Sequence, residues 1–261
     1  MSFFQSIDIR FLRWLLFVLL LQLFGCANAD GSDDYLNQDV SSYRNIIAHR
    51  GYWGGSVPEN SRASLQRALA LNIYGTEFDI HETKDGIIVV NHDATFGGKE
   101  ISTSTYRELC KRGLTNGEKI PLLSDFLAIY QNAKTSVKLI IELKNCSVEK
   151  VVNLVDEYHL QDQVEYISFS LAYCQQLAAL HYGNKTFYLS GDLAPLKLKE
   201  LGILGFDYQV AVLQTHPEWI KEALENGMRP MVWTVNDKDL MRRFLRENVY
   251  VTTNHPEYKL W

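Results

Sequence analysis

Apolar residues recur along the chain in two rhythms. Short runs rich in β-branched and aromatic residues, at 45–48, 76–80, 87–90, 138–143, 164–169, 186–189, 206–212, 231–235 and 249–252, have the length and composition of buried strands. Between them, apolar residues spaced three and four apart predict helices over 61–71, 148–158, 171–181, 217–226 and 237–246. In the first of these, Leu65, Ala68, Leu69 and Asn72 form one stripe behind an Asn60/Ser61 cap. Gly227 and Asn248 stand where two of the others should stop.

Regular alternation of strand and helix predicts an α/β fold, a parallel sheet with right-handed crossovers, and eight such units close into a TIM (β/α)8 barrel. The nine runs are one too many. Asp85-Gly86 forms a turn signal between 76–80 and 87–90, so these two runs read as a hairpin that extends one barrel strand, with a short insertion after the second barrel strand. The rival is an open, doubly wound sheet. That fold favours a glycine-rich phosphate loop after the first strand, and Gly51, Gly54 and Gly55 do not have the G-x-G-x-x-G spacing.

The chain of 261 residues, 46% hydrophobic, has room for one such barrel and little else. Residues 1–26 read as an export signal of lipoprotein type, because Arg10 and Arg13 precede an apolar stretch from Trp14 to Leu21 that is too short to span a membrane. Leu23-Phe24-Gly25-Cys26 resembles a bacterial lipobox with a bulky Phe24, and cleavage after Ala27-Asn28-Ala29 is the competing reading. Residues 27–42 read as a polar tether, and 43–261 as the barrel. A lipid on Cys26 would make the membrane a partner. It would leave Cys110, Cys146 and Cys174, an odd set read as free buried thiols with no disulfide framework.

Loss of residues 1–25 removes Arg10, Arg13 and Asp8 and moves the formal charge from -5 to -6. An acidic chain disfavours a nucleic-acid partner, and an anionic substrate would need positive charge concentrated at one place.

Chemically unusual residues gather at the predicted strand ends, where barrels carry their sites. His49 and Arg50 end the first run, and His92 ends the third. Glu77 and Asp79 stand two apart, so both carboxylates share a face, with Phe78 on the other. Glu142 and Lys144 repeat that spacing on another strand. Like charges in a half-buried site need a proton or a cation to neutralise them. Hard oxygen ligands suit calcium or magnesium, with manganese a third choice, and argue against zinc or copper. Arg50 and Lys144 suit a phosphate, and two histidines suit a general base and a general acid near neutral pH. Acid–base catalysis supplies roughly 10²- to 10⁴-fold, about 3 to 5 kcal/mol, so an ion and the cationic groups would have to supply much of the rest.

His49-Arg50-Gly51, Pro58-Glu59-Asn60-Ser61, Glu77-Phe78-Asp79, His92-Asp93, Glu142-Leu143-Lys144 and Trp233-Thr234-Val235-Asn236, in that order, resemble the glycerophosphodiester phosphodiesterase family from about Asn45 to Pro256. The resemblance implies a barrel that hydrolyses a glycerophosphodiester to glycerol 3-phosphate and an alcohol. It implies His49 and His92 as the acid–base pair, Glu77, Asp79 and Glu142 as ligands of a divalent ion (calcium or magnesium), and Arg50 and Lys144 on the phosphate. It further implies Glu59 on the metal or on glycerol hydroxyls and Trp233 in the pocket wall, for which a core tryptophan is the plain alternative. Two departures stand out: residues 93–120 lack the family's usual cap pattern, which leaves the leaving group open, and Tyr250-Val251-Thr252-Thr253 replaces a more typical start to the last strand. A phosphodiesterase for lysophospholipids or other diesters, and a non-catalytic surface lipoprotein that binds phosphodiesters, are the alternatives.

Overall fold

The computed structural model describes residues 45–258. The signal at 1–26 and the tether at 27–42 lie outside the described residues.

Eight parallel strands close on themselves. In chain order they are β1 (Ile46–Ala48), β2 (Gly75–Glu82), β6 (Lys138–Asn145), β7 (Val164–Ser168), β8 (Thr186–Tyr188), β9 (Gly205–Gln209), β10 (Arg229–Trp233) and β11 (Tyr250–Thr253), with β1 pairing to both β2 and β11. The ninth run is β3 (Ile88–Val90), antiparallel to the end of β2 through Ile80 opposite Val90, as the Asp85-Gly86 turn predicts. Beyond it lie a two-stranded hairpin, β4 (Thr95–Phe96) and β5 (Lys99–Glu100), and two helices, α2 (Tyr106–Leu109) and α3 (Leu123–Asn132). Val89, Ile101, Leu109 and Ile120 give this insertion its own small core.

The other helices are α1 (Arg62–Leu69), α4 (Val148–Glu157), α5 (Leu171–Ala179), α6 (Pro195–Glu200), α7 (Val210–Thr215), α8 (Glu218–Glu225) and α9 (Lys238–Arg246). Ser61 caps α1, its hydroxyl accepting from the Ser64 amide at 3.0 Å. The helix stops at Leu69, so Asn72 is exposed and outside the apolar stripe. The run at 206–212 divides: its strand ends at Gln209 and Val210 opens α7 with no turn residue between, because a short apolar run fits either geometry. Cys146 and Cys174 are buried, whereas Cys110 is only half-buried.

Alternation along each strand sorts the side chains into two layers. Phe78, Ile80, Leu139, Ile141 and Leu143 point outward and pack with Leu65, Phe126 and Val151 of the helical layer. Ile47, Ile140, Ile167, Phe187, Leu189 and Met231 point inward and fill the barrel. At the amino ends of the strands the interior closes on a polar plug. Arg229 Nη1 lies 2.5 Å from both Glu165 Oε1 and the Tyr74 hydroxyl, with its guanidinium 5.1 Å from the Tyr250 ring centre. The other end is open, and every polar residue named above as a candidate lies toward it.

Candidate active site

The carboxylates are placed by the β2–β6 register. Asp79 pairs with Glu142, and Glu77 lies one inward step back on β2. One oxygen from each of Glu77, Asp79 and Glu142 falls within 4.8 Å of the others, and all three residues are buried. Glu77 accepts from the Arg50 amide at 2.8 Å through Oε2, while its buried Oε1 has no hydrogen-bond partner among the described residues. Asp79 is held by Asn60, which donates from its amide at 2.8 Å and accepts from the Asp79 backbone N–H at 3.2 Å.

Burial, then the charges of Asp79 and Glu142, pushes the Glu77 carboxyl well above its ordinary range. The Glu142 carboxyl is pushed up to about 7 by burial and by Asp79. Burial opposes ionisation of Asp79 too, but Lys144, the Asn60 hydrogen bond, His92 and Arg50 together outweigh it and hold that carboxyl below its ordinary value. Three crowded carboxylates, of which Glu77 and Glu142 resist ionisation and Glu77 carries a partnerless buried oxygen, form a donor set suited to a hard divalent cation.

Lys144 contributes part of the missing charge. Its ammonium lies 2.5 Å from Glu142 Oε1 and 3.1 Å from Asp79 Oδ1, and these neighbours outweigh burial to raise its pKa. Arg50 sits in the turn after β1. Its guanidinium donates to Glu59 Oε1 at 2.8 Å, and its Nε, 3.7 Å from Asp79 Oδ2, is buried without a hydrogen-bond acceptor. Arg50 takes a left-handed φ of 57°, followed by Gly51 at 82°, where a Cβ would lie 2.5 Å from Ser64 Oγ. Only glycine fits so close an approach of the turn to α1. Glu59, 40% exposed at its side chain, belongs to this arm and is not among the three clustered carboxylates.

His49 lies beside the cluster, its Nε2 4.0 Å from Glu77 Oε2. Its Nδ1 is 2.8 Å from Asn254 Oδ1, an acceptor that places the ring proton on Nδ1 and leaves the Nε2 lone pair free. Burial lowers the His49 pKa, only partly offset by the Asn254 hydrogen bond. His92 is more open, its side chain 38% exposed, with Nδ1 2.8 Å from Asp93 Oδ1.

His49, Arg50, Glu77, His92, Glu142 and Lys144 line one side of a single cavity of about 100 Å³. Ile167, Leu189, Phe169, Trp233, Asp207 and Thr252 line the rest. Trp233 and Phe169 meet edge to face with ring centres 5.6 Å apart, and the Trp233 indole donates to the Asp207 carbonyl at 2.9 Å. The structure thus brings all the predicted residues into one neighbourhood, with Glu59 reaching it through Arg50. It adds Asn60, Asn254 and Asp207. The first two are uncharged amides and carry no charge pattern in the sequence. Asp207, a lone acid between Phe206 and Tyr208, was legible as an inward charge on an apolar strand.

A closed (β/α)8 barrel with a carboxylate cluster able to hold a cation, flanking imidazoles and two phosphate-suited cations fits a phosphodiester hydrolase. Residues 49–258 match the glycerophosphoryl diester phosphodiesterase family, and the chain belongs to that family. It is 30% identical to a glycerophosphodiester phosphodiesterase of Caldanaerobacter subterraneus over 81% of this chain and 94% of that protein. A crystal structure of a glycerophosphodiester phosphodiesterase from Parabacteroides distasonis is 40% identical, with a TM-score of 0.77 over 81% of this chain and 93% of that one. An Oleispira antarctica phosphodiesterase, determined in complex with its product sn-glycerol 3-phosphate, shares the fold at 22% identity and a TM-score of 0.69, over 84% of this chain and 96% of that one.

Proposed function

We propose that this chain hydrolyses glycerophosphodiesters to glycerol 3-phosphate and an alcohol, with a divalent ion held by Glu77, Asp79 and Glu142 and with His49 and His92 as the acid–base pair. The observation that carries the reading is the meeting of three buried carboxylates beside an imidazole whose free Nε2 faces them.

When bound, a calcium or magnesium ion would polarise a phosphoryl oxygen and offset the charge that grows there. The remaining work falls to the chain. Arg50 Nε and the Lys144 ammonium hold the phosphodiester anion against the cluster. His49 Nε2 accepts a proton from the attacking water, whose oxygen forms the new P–O bond, a role supported by the hydrogen bond that reserves its Nδ1 for Asn254. His92, at the open mouth, donates a proton to the departing alcohol, which leaves toward solvent. The enclosed space of about 100 Å³ falls below the roughly 300–1,000 Å³ of sites that engulf a drug-sized ligand. That favours small glycerophosphodiesters over lipid substrates, whose chains would have to lie outside. Following release of glycerol 3-phosphate from a panel of diesters tests the reading. Release that stops on chelation, returns with added metal and is lost in His92→Ala supports it; inert protein with metal restored refutes it.

We further propose that the protein is exported and anchored by a lipid on Cys26. Labelling of growing cells with a fatty-acid analogue tests this, since Cys26→Ala should abolish the label, and label retained in that variant would exclude the anchor.

A further inference from the structure

The side of the cavity opposite the carboxylates has chemistry that the proposed reaction leaves unused. Asp207 lies on β9, 2% exposed, and its Oδ1 has no hydrogen-bond partner among the described residues. Thr252 on β11, also 2% exposed, lines the same cavity with a partnerless hydroxyl. Between their strands runs β10, with Met231 level with both Asp207 and Tyr250, so Thr252 stands one inward step nearer the mouth than Asp207. The uncharged lining of the same cavity includes Ile167, Leu189 and Trp233. An isolated buried carboxyl in apolar surroundings costs stability unless something hydrogen-bonds to it.

We propose that Asp207 and Thr252 form a subsite for the hydroxyls of a small polyol, the glycerol portion of the substrate, reaching inward from a phosphate held at the carboxylate side. The proposal rests on the function proposed above. Asp207 is not among the three carboxylates that gather for a cation, so it is free for another ligand. Burial, and secondarily the charge of Glu142, pushes its carboxyl well above the ordinary range, which favours the neutral form. A neutral carboxyl both donates and accepts, as does the Thr252 hydroxyl, and neighbouring alcohol groups need partners of both kinds. An ammonium head group would instead call for an ionised carboxylate, which the apolar lining opposes. The small enclosed volume admits a short polyol and leaves the variable alcohol in the mouth.

The test is calorimetric titration of the calcium-loaded full chain with sn-glycerol 3-phosphate, inorganic phosphate and phosphocholine, alongside kinetics on glycerophosphocholine. Wild type should prefer glycerol 3-phosphate to inorganic phosphate by about tenfold or more, as expected of a site whose buried polar groups are paired only by substrate hydroxyls. Asp207→Val and Thr252→Val should each shrink that ratio while leaving phosphate affinity within about twofold. Asp207→Asn, which still donates and accepts, should keep most of it. If Asp207→Val does not fold, Thr252→Val and Asp207→Asn carry the test. An unchanged ratio in the valine variants, equal loss of both ligands, or selective loss of phosphocholine would overturn the subsite. Absence of wild-type turnover on every glycerophosphodiester would instead sink the proposed reaction, with the titration still judging the subsite.

Discussion

Asn254 Oδ1 lies 2.8 Å from His49 Nδ1, although the two residues are 205 positions apart. Closure of the barrel between β1 and β11 brings them together, and the hydrogen bond sets which imidazole nitrogen faces the cavity. Asn254→Leu should lower kcat about tenfold to a hundredfold, a loss typical of removing a partner that orients a working imidazole. The bond favours the charged ring and so raises the His49 pKa. Its loss lowers that pKa further, and the acid limb of the pH–rate profile should move to lower pH. An unmoved limb would separate His49 from the limiting ionisation.

Asn60 grips Asp79 at two points, the side-chain oxygen and the backbone amide. Asn60→Ala should weaken divalent-ion affinity about 10- to 100-fold with little change in melting temperature, as read by titration calorimetry and calorimetric melting. Equal affinity in variant and wild type would remove Asn60 from the support of the cluster.

Metal-free protein should lose stability as pH rises. A carboxyl whose pKa is higher folded than unfolded binds more protons in the folded state, so its penalty is absent below the unfolded value and complete above the folded one. Glu142, raised from 4.5 to about 7, sets that window and corresponds to about 3 kcal/mol. Glu77 and Asp207 are raised in the same direction, the lowered Asp79 acts below the window, and the lowered His49 and His81 act in the opposite sense inside it, where the raised carboxyls together outweigh them. Chelated protein should melt at lower temperature at pH 8 than at pH 5, and added calcium should reverse this. A flat or opposite trend would show that the carboxylates are not crowded as described.

The plug at the closed end makes a contrasting prediction. Glu165→Leu leaves the half-buried Arg229 without its carboxylate but with the Tyr74 hydroxyl, and this should destabilise the fold by about 1–3 kcal/mol. The plug lies at the end of the barrel away from the cavity, so protein that remains folded should retain its KM. Urea denaturation read beside kinetics separates the two effects.

The barrel was legible because a buried parallel strand leaves a compact apolar run and the helices between leave a different spacing. Its acidic cluster was legible as well, since Glu77/Asp79 and Glu142/Lys144 put charges at alternate positions inside apolar strands. What escaped depends on tertiary context. The run at 206–212 passes from β9 into α7 without glycine or proline, so local pattern cannot mark the change. Helix α3 is an exception: it leads from β2 into β6 with Leu123, Phe126, Leu127 and Tyr130 at helical spacing, packs its Phe126 against Phe78 of β2 at 4.7 Å between ring centres, and lay outside the predicted helices all the same. Asn60 and Asn254 act through amides whose partners are fixed only once the chain closes. Asp207 stood in plain view as an acid on an apolar strand, but its solitude becomes informative only when the cavity around it is known.

The most direct test of the account is calorimetric titration of metal-free protein with calcium or magnesium, comparing wild type with Asp79→Asn. Convergence of Glu77, Asp79 and Glu142 predicts one ion bound per chain in wild type and none at the same concentrations in the variant. Wild type that binds no divalent ion, or a variant that binds it equally well, would contradict it.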